Sequence, residues 1–187
     1  MSSGGVIAYP TDTFYGLGAD PGNPAAVRRI FAIKGREPGR PILLLIGDPN
    51  EVLNWAADVP RRAEELMKRF WPGPLTLVFK AKAEVLPELT AGSGTIGLRV
   101  PGSELTRGLL KYLGHALTGT SANISGLPGI RSAHEAARAI GERVDLVFDG
   151  GEAAGGKPST VVDVSTDTPR VIREGAVDSK LIAKCKL

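Results

Sequence analysis

The residues best suited to chemistry are cations and hydroxyls gathered where apolar runs end. Lys34-Gly35-Arg36 sets two positive side chains two positions apart around a glycine, a spacing that can present both to one anionic ligand. The same pair would also suit a helix C-terminus facing water, so alone it names no ligand. Arg99 interrupts the apolar run Ile96–Val100 before Pro101, and a charge on a strand needs a partner or a ligand; Glu104 is one internal carboxylate within reach in sequence. Thr118-Gly-Thr-Ser-Ala-Asn123 places four hydrogen-bonding side chains in six residues, and Pro10-Thr-Asp-Thr-Phe-Tyr-Gly16 repeats the theme after the first apolar run. Such segments can bind phosphate or carboxylate oxygens, or simply turn the chain.

Several familiar chemistries do not fit. Gly151-Glu-Ala-Ala-Gly-Gly-Lys157 matches the start of a phosphate-binding loop, yet Pro158 follows the lysine where Ser or Thr should hold magnesium, and a strand pattern follows where a helix is needed. Ser121 lacks the glycine two residues on that a nucleophile elbow requires, since Asn123 stands there. Two separated histidines, His115 and His134, and one cysteine, Cys185, do not match the ligand spacing of a zinc site, and no metal ligand is assigned.

The elements that must position these residues alternate along the chain. Apolar or β-branched runs at Val6–Tyr9, Ile42–Ile46, Leu75–Phe79, Ile96–Val100, Ala116–Thr120, Val144–Phe148, Thr160–Val164 and Arg170–Ile172 predict strands. Asn23-Pro24 and Asp48-Pro49 are helix starts, Ser132-Ala-His-Glu135 reads as a capping box with Gly141 closing its helix, and Pro60–Phe70 and Glu104–Leu113 complete the helical set. The pattern predicts an α/β fold with a mixed parallel and antiparallel sheet, in a single domain over 1–187. A net charge of +3 without basic blocks identifies no partner. The lone cysteine, and the lack of any apolar run near the ~20 residues that span a bilayer, predict a cytoplasmic protein without a membrane partner.

Taken in order, Pro10-Thr-Asp-Thr-Phe-Tyr-Gly-Leu17, Lys34-Gly-Arg36 with Pro41, Trp71-Pro-Gly-Pro-Leu-Thr76, Leu98-Arg-Val-Pro101, Thr120-Ser-Ala-Asn-Ile-Ser-Gly126, Pro158-Ser-Thr-Val-Val-Asp163 and Arg173-Glu-Gly175 resemble the signature segments of the YrdC-like threonylcarbamoyl-AMP synthase family. The resemblance covers about residues 4–177, which it implies are the core of the domain, and it implies a twisted mixed sheet flanked by helices around a deep, basic cleft. It also implies a reaction: threonine captures bicarbonate as a carbamate, which attacks the α-phosphate of ATP and expels pyrophosphate, for threonylcarbamoyladenosine modification of tRNA. On this resemblance Lys34, Arg36, Ser121 and Asn123 are catalytic, with Thr120 and Arg173 joining them around the nucleotide. Thr13, Arg99, Thr118 and Ser159 surround the amino acid. Mg2+ accompanies ATP, and tRNA and downstream modification proteins are the implied partners. Leu45 stands where some relatives carry a histidine near the amino acid, which bears on threonine against serine.

Three rival readings remain. An RNA-binding module for double-stranded RNA or tRNA could use the same cations, but only 5% of residues are aromatic and they are not interleaved with Lys and Arg. A carbamoyl-transfer domain like that of hydrogenase maturation factors would normally accompany cysteine-rich zinc modules. A regulatory member could bind nucleotide without turnover.

Overall fold

The computed structural model describes residues 1, 3–35 and 39–185. Among these, ten strands form two mixed sheets. The first contains β1 (Val6–Tyr9), β2 (Gly16–Ala19), β7 (Thr120–Ser121) and β8 (Leu146–Val147), in the order β7-β2-β1-β8. The second contains β3 (Leu44–Leu45), β4 (Leu75–Lys80), β5 (Thr95–Arg99), β6 (Leu117–Thr118), β9 (Thr160–Asp163) and β10 (Arg170–Arg173), in the order β10-β9-β4-β5-β3-β6. Helices α1 (Pro24–Lys34), α2 (Arg61–Phe70), α3 (Pro87–Thr90), α4 (Glu104–Leu113), α5 (Ala133–Ile140) and α6 (Ser179–Ala183) flank them. The segment opened by Asp48 is a 3-10 turn over Pro49–Asn54 rather than an α-helix.

Strand β1 is an uninterrupted apolar run because both of its faces are covered. Val6 and Ala8 enter the main core, while Ile7 and Tyr9 enter a second cluster with Leu45, Leu110 and Leu117. Its partner β2 escapes a reading based on strand propensity, since Gly-Leu-Gly-Ala is half glycine. The Tyr9 ring explains those glycines: a Cβ added at Gly18 would lie 2.7 Å from Tyr9 Cε1, and one at Gly16 3.2 Å from Cζ. Gly18→Ala is therefore expected to cost about 1–3 kcal/mol by overpacking, measured as a lower urea midpoint at unchanged slope.

The expected single strand Ala116–Thr120 is instead two short strands, β6 and β7, belonging to different sheets. Gly119 is the crossing point. A Cβ there would stand 2.5 Å from Leu43 Cδ1 and 2.9 Å from Leu45 Cγ, so the chain passes against β3 only as glycine. Thr118 joins the sheets beside it: its hydroxyl accepts from the Ala19 N–H at 2.9 Å and donates to the Leu17 carbonyl at 3.1 Å. Burial pushes the Tyr9 phenol above its ordinary pKa despite an opposing pull from Arg99, so its O–H stays protonated and donates to the Thr118 carbonyl at 2.8 Å.

Helix α1 delivers Lys34. Asn23 caps it by accepting from the Ala26 N–H, Pro24 occupies the first turn, and Gly35 closes it at φ 55°, a left-handed conformation that glycine adopts without strain. Its buried residues include Ile30, Phe31, Ile33 and Lys34, so the helix ends with the lysine on the inner face.

Candidate functional site

A cavity of about 570 Å³ opens where the two sheets meet, within the range of small-molecule sites. Thr13, Lys34, Arg99, Thr120, Ser121, Asn123, Ser159 and Arg173 all line it, drawn together from segments far apart in sequence. Thr118 does not: its side chain is fully buried and engaged in the joint between the sheets. Arg36 lies outside the described residues. Arg40, Tyr9 and Phe14 line the cavity without having been singled out as site residues, and Leu43, Leu45 and Ile172 supply apolar wall.

Arg99 is 4% exposed and held on three sides. Its Nε donates to the Gly73 carbonyl at 2.9 Å, Nη1 to Thr13 Oγ1 at 3.3 Å, and Nη2 to Asp12 Oδ1 at 2.5 Å. The carboxylate partner is thus Asp12 rather than Glu104. Gly73 belongs to the Trp71-Pro-Gly-Pro74 loop, which begins with a cis Trp71-Pro72 bond; a Cβ at Gly73 would stand 2.4 Å from the Phe70 carbonyl oxygen. The loop's task is visible here, since it supplies the carbonyl that aims Arg99. Three of its five guanidinium donors are engaged among the described residues, which leaves two for a ligand.

Thr13 has a definite polarity. Thr11 gives its one hydroxyl proton to the Phe14 carbonyl at 2.7 Å, so across the 3.0 Å Thr11–Thr13 contact Thr13 must donate. Thr13 Oγ1 therefore accepts from Arg99 and has a lone pair left for an N–H or O–H of a ligand.

Lys34 is 4% exposed and donates to the Ser121 carbonyl and, at 2.7 Å, to the Asn123 carbonyl. The Ser125 N–H donates back to the Lys34 carbonyl at 3.1 Å. The end of α1 thereby clasps the loop 121–125, and Lys34 shapes that loop as well as lining the cavity. The Thr120 and Ser121 hydroxyls make no hydrogen bond among the described residues, so they are open to a ligand. Asn123 differs, because its amide nitrogen donates to the carbonyls of Ile124 at 3.0 Å and Leu127 at 2.5 Å. Those two acceptors fix the amide orientation and leave Oδ1 a buried acceptor without a partner among the described residues. The Asn123 side chain consequently cannot donate to a phosphate in this arrangement.

Arg173 arrives through a tight clasp between two distant segments. A Cβ at Gly175 would stand 2.3 Å from the Pro158 carbonyl oxygen, and the Ala176 N–H bonds that same carbonyl at 2.9 Å. Arg173 Nη2 then reaches the Ser159 carbonyl at 2.8 Å and its hydroxyl at 3.2 Å. The residue as a whole is exposed, but partial withdrawal of its guanidinium from water, and then repulsion from Arg99, lower its pKa. An arginine so shifted keeps its charge, and two cations that repel each other on a cavity wall favour an anion beside both.

The phosphate-loop look-alike Gly151–Lys157 is followed by β9, not a helix, and the Gly155 N–H is engaged with the Thr13 carbonyl at 2.6 Å. Neither His115 nor His134 lines the cavity. Among the described residues, no group of three or more His, Cys, Asp or Glu could hold a metal, and no helix is long and apolar enough to cross a membrane.

Residues 1–175 match the model of the Sua5/YciO/YrdC family, whose description reads "Telomere recombination". This chain belongs to the Sua5/YciO/YrdC family. Among Sua5/YciO/YrdC relatives, the threonylcarbamoyl-AMP synthase of Pyrococcus abyssi is 40% identical over 98% of this chain and 54% of its own length. That of Bacillus subtilis is 37% identical over 95% of this chain and 51% of its own. The chain thus spans about half the length of these two. The Thiobacillus denitrificans synthase, at 40% identity, is matched over 89% of this chain and 88% of its own. In structure, P. abyssi Sua5 complexed with L-threonine superposes with a TM-score of 0.94 at 38% identity, covering 98% of this chain and 54% of that one. Escherichia coli YciO superposes with a TM-score of 0.87 at 36% identity, covering 96% and 87%. The mixed sheets with flanking helices are therefore the Sua5/YciO/YrdC fold.

Proposed function

We propose that this chain is a threonylcarbamoyl-AMP synthase, joining L-threonine, bicarbonate and ATP in the cavity between its sheets. The observation that carries the reading is the convergence there of a donor wall, Arg99, Ser159 and Arg173, with an acceptor, Thr13 Oγ1. A zwitterionic amino acid needs both: the open guanidinium donors of Arg99 suit its carboxylate, and the Thr13 lone pair suits its amine. Relatives named for this activity, and a Sua5 complexed with L-threonine, support the choice of substrate.

The reaction asks little of the protein in covalent terms. The threonine nitrogen bonds the carbon of bicarbonate as its C–OH bond breaks, and the proton lost by nitrogen leaves with that hydroxyl as water, giving a carbamate. A carbamate oxygen then bonds the α-phosphorus as the bond to the β-phosphate oxygen breaks, and pyrophosphate leaves; Mg2+ carried in with ATP would offset charge on its phosphates. Two anions must be brought together, so fixed cations and prealigned donors supply most of the rate. Lys34 holds the loop that offers the Thr120 and Ser121 hydroxyls, and Arg173 stabilises negative charge on the opposite wall. Arg36 belongs to the same proposal as a nucleotide cation. Leu45 makes the wall beside the amino acid apolar, a surface suited to the methyl group that distinguishes threonine from serine. The product is a mixed anhydride that other proteins would transfer to adenosine in tRNA, in the cytoplasm. We further propose that residues 1–187 form one catalytic domain.

The same cations could meet RNA instead. Purified protein given ATP-Mg, labelled bicarbonate and one amino acid at a time separates the two. Pyrophosphate release that requires threonine and bicarbonate is expected. RNA affinity falling steeply with salt, without any ATP consumption, would replace the proposal with an RNA-binding role.

A further inference from the structure

Thr76 on β4 is 1% exposed and is not part of the cavity wall. Its hydroxyl stands 2.9 Å from Ser159 Oγ and makes no other hydrogen bond among the described residues. Ser159, which does line the cavity, also accepts from Arg173 Nη2 at 3.2 Å. Each hydroxyl has one proton to place. Were Ser159 to give its proton to Thr76, the Thr76 proton would be buried with no acceptor, an arrangement folded proteins avoid. Thr76 therefore donates to Ser159. Ser159 Oγ then accepts from two donors, and its own proton is turned away from both.

We infer that Thr76 is a positioning residue that fixes the Ser159 hydroxyl as a hydrogen-bond donor into the cavity, where it holds an anionic oxygen of the ligand. Two donors on one oxygen polarise its O–H and strengthen the bond it makes. The neighbouring Arg173 and Arg99, which repel each other, draw anionic oxygens to this wall. Thr13 is the mirror case, since its proton goes to Thr11 and it can only accept. The cavity thus has two hydroxyls of opposite, structurally fixed polarity. Amino-acid carboxylate and nucleotide phosphate are the two sources of anionic oxygen, a choice that rests on the function proposed above.

Thr76→Val, Thr76→Ser, Ser159→Ala and the double variant Thr76→Val/Ser159→Ala test this against wild type. Thr76→Val removes a satisfied bond, so its melting temperature falls by a few degrees; with the protons arranged the other way it would rise, because an orphaned donor would be gone. In the pyrophosphate assay Thr76→Val raises KM for one substrate about 5–10-fold and leaves the other within about twofold, and the KM that moves, for L-threonine or for ATP, identifies the source of the oxygen. Thr76→Ser restores the wild-type value. In the Ser159→Ala background Thr76→Val adds nothing to KM, because it acts only through that hydroxyl. An unchanged or raised melting temperature, two unmoved KM values, or full additivity with Ser159→Ala would each overturn the inference. If wild type releases no pyrophosphate with threonine, the functional proposal is what fails. The melting temperatures, with calorimetric titration of L-threonine and of ATP into each variant, then decide the role of Thr76.

Discussion

Arg99→Leu is expected to lower threonine-dependent pyrophosphate release by about 1000-fold or more, and to cost about 3–5 kcal/mol of stability. The two losses have different origins. On the function proposed above, activity falls because the cavity loses the guanidinium donors assigned to the threonine carboxylate. Stability falls because Asp12, with its side chain 18% exposed, keeps a charge whose partner is gone, while the Gly73 carbonyl and Thr13 hydroxyl lose their donor. They can be separated experimentally. Adding Asp12→Asn to Arg99→Leu should recover part of the stability, read by urea unfolding, and none of the activity. Arg99→Lys should keep the charge near Asp12 but lose the fork geometry, leaving activity about 10–100-fold down.

Lys34→Met should be nearly as damaging to activity, about 100-fold or more, through placement of other groups. The methionine preserves the apolar stem on the inner face of α1 but leaves the Ser121 and Asn123 carbonyls without the ammonium that gathers them. Stability should fall by about 1–3 kcal/mol, the cost of buried acceptors left unpaired. The loop that carries Thr120 and Ser121 would lose its fixed approach to the cavity, so kcat should drop together with an increase in KM for ATP. A lysine acting as a point charge in solvent would instead show an effect on KM that salt largely screens.

How far these roles could be read beforehand depends on what each residue's neighbours are. The strands at Val6–Tyr9 and Thr160–Asp163 stand out because burial demands apolar side chains there, and Lys34, Arg99, Ser159 and Arg173 stand out as polar groups beside such runs. β2 does not, because its glycines answer to the Tyr9 ring packed across them, a contact invisible along the chain. The single strand expected at Ala116–Thr120 hides a change of sheet at Gly119, and with it the reason Thr118 joins sheets instead of facing the cavity. Asp12 reads as turn chemistry, though a buried strand arginine calls for a carboxylate, and the partner found lies 87 residues away in sequence rather than nearby. Which way a hydroxyl points, as at Thr11, Thr13, Thr76 and Ser159, follows from counting protons across neighbours that only folding brings together.

On the function proposed above, one hollow between two sheets holds a small hydroxylated amino acid beside a triphosphate. This is tested most directly by a crystal structure with L-threonine and a nonhydrolysable ATP analogue both bound. The threonine amine is expected at hydrogen-bond distance from Thr13 Oγ1, its carboxylate against Arg99, and the phosphates between the loop held by Lys34 and the guanidinium of Arg173. Threonine or nucleotide ordered outside that hollow, with Arg99 and Arg173 untouched, would contradict it.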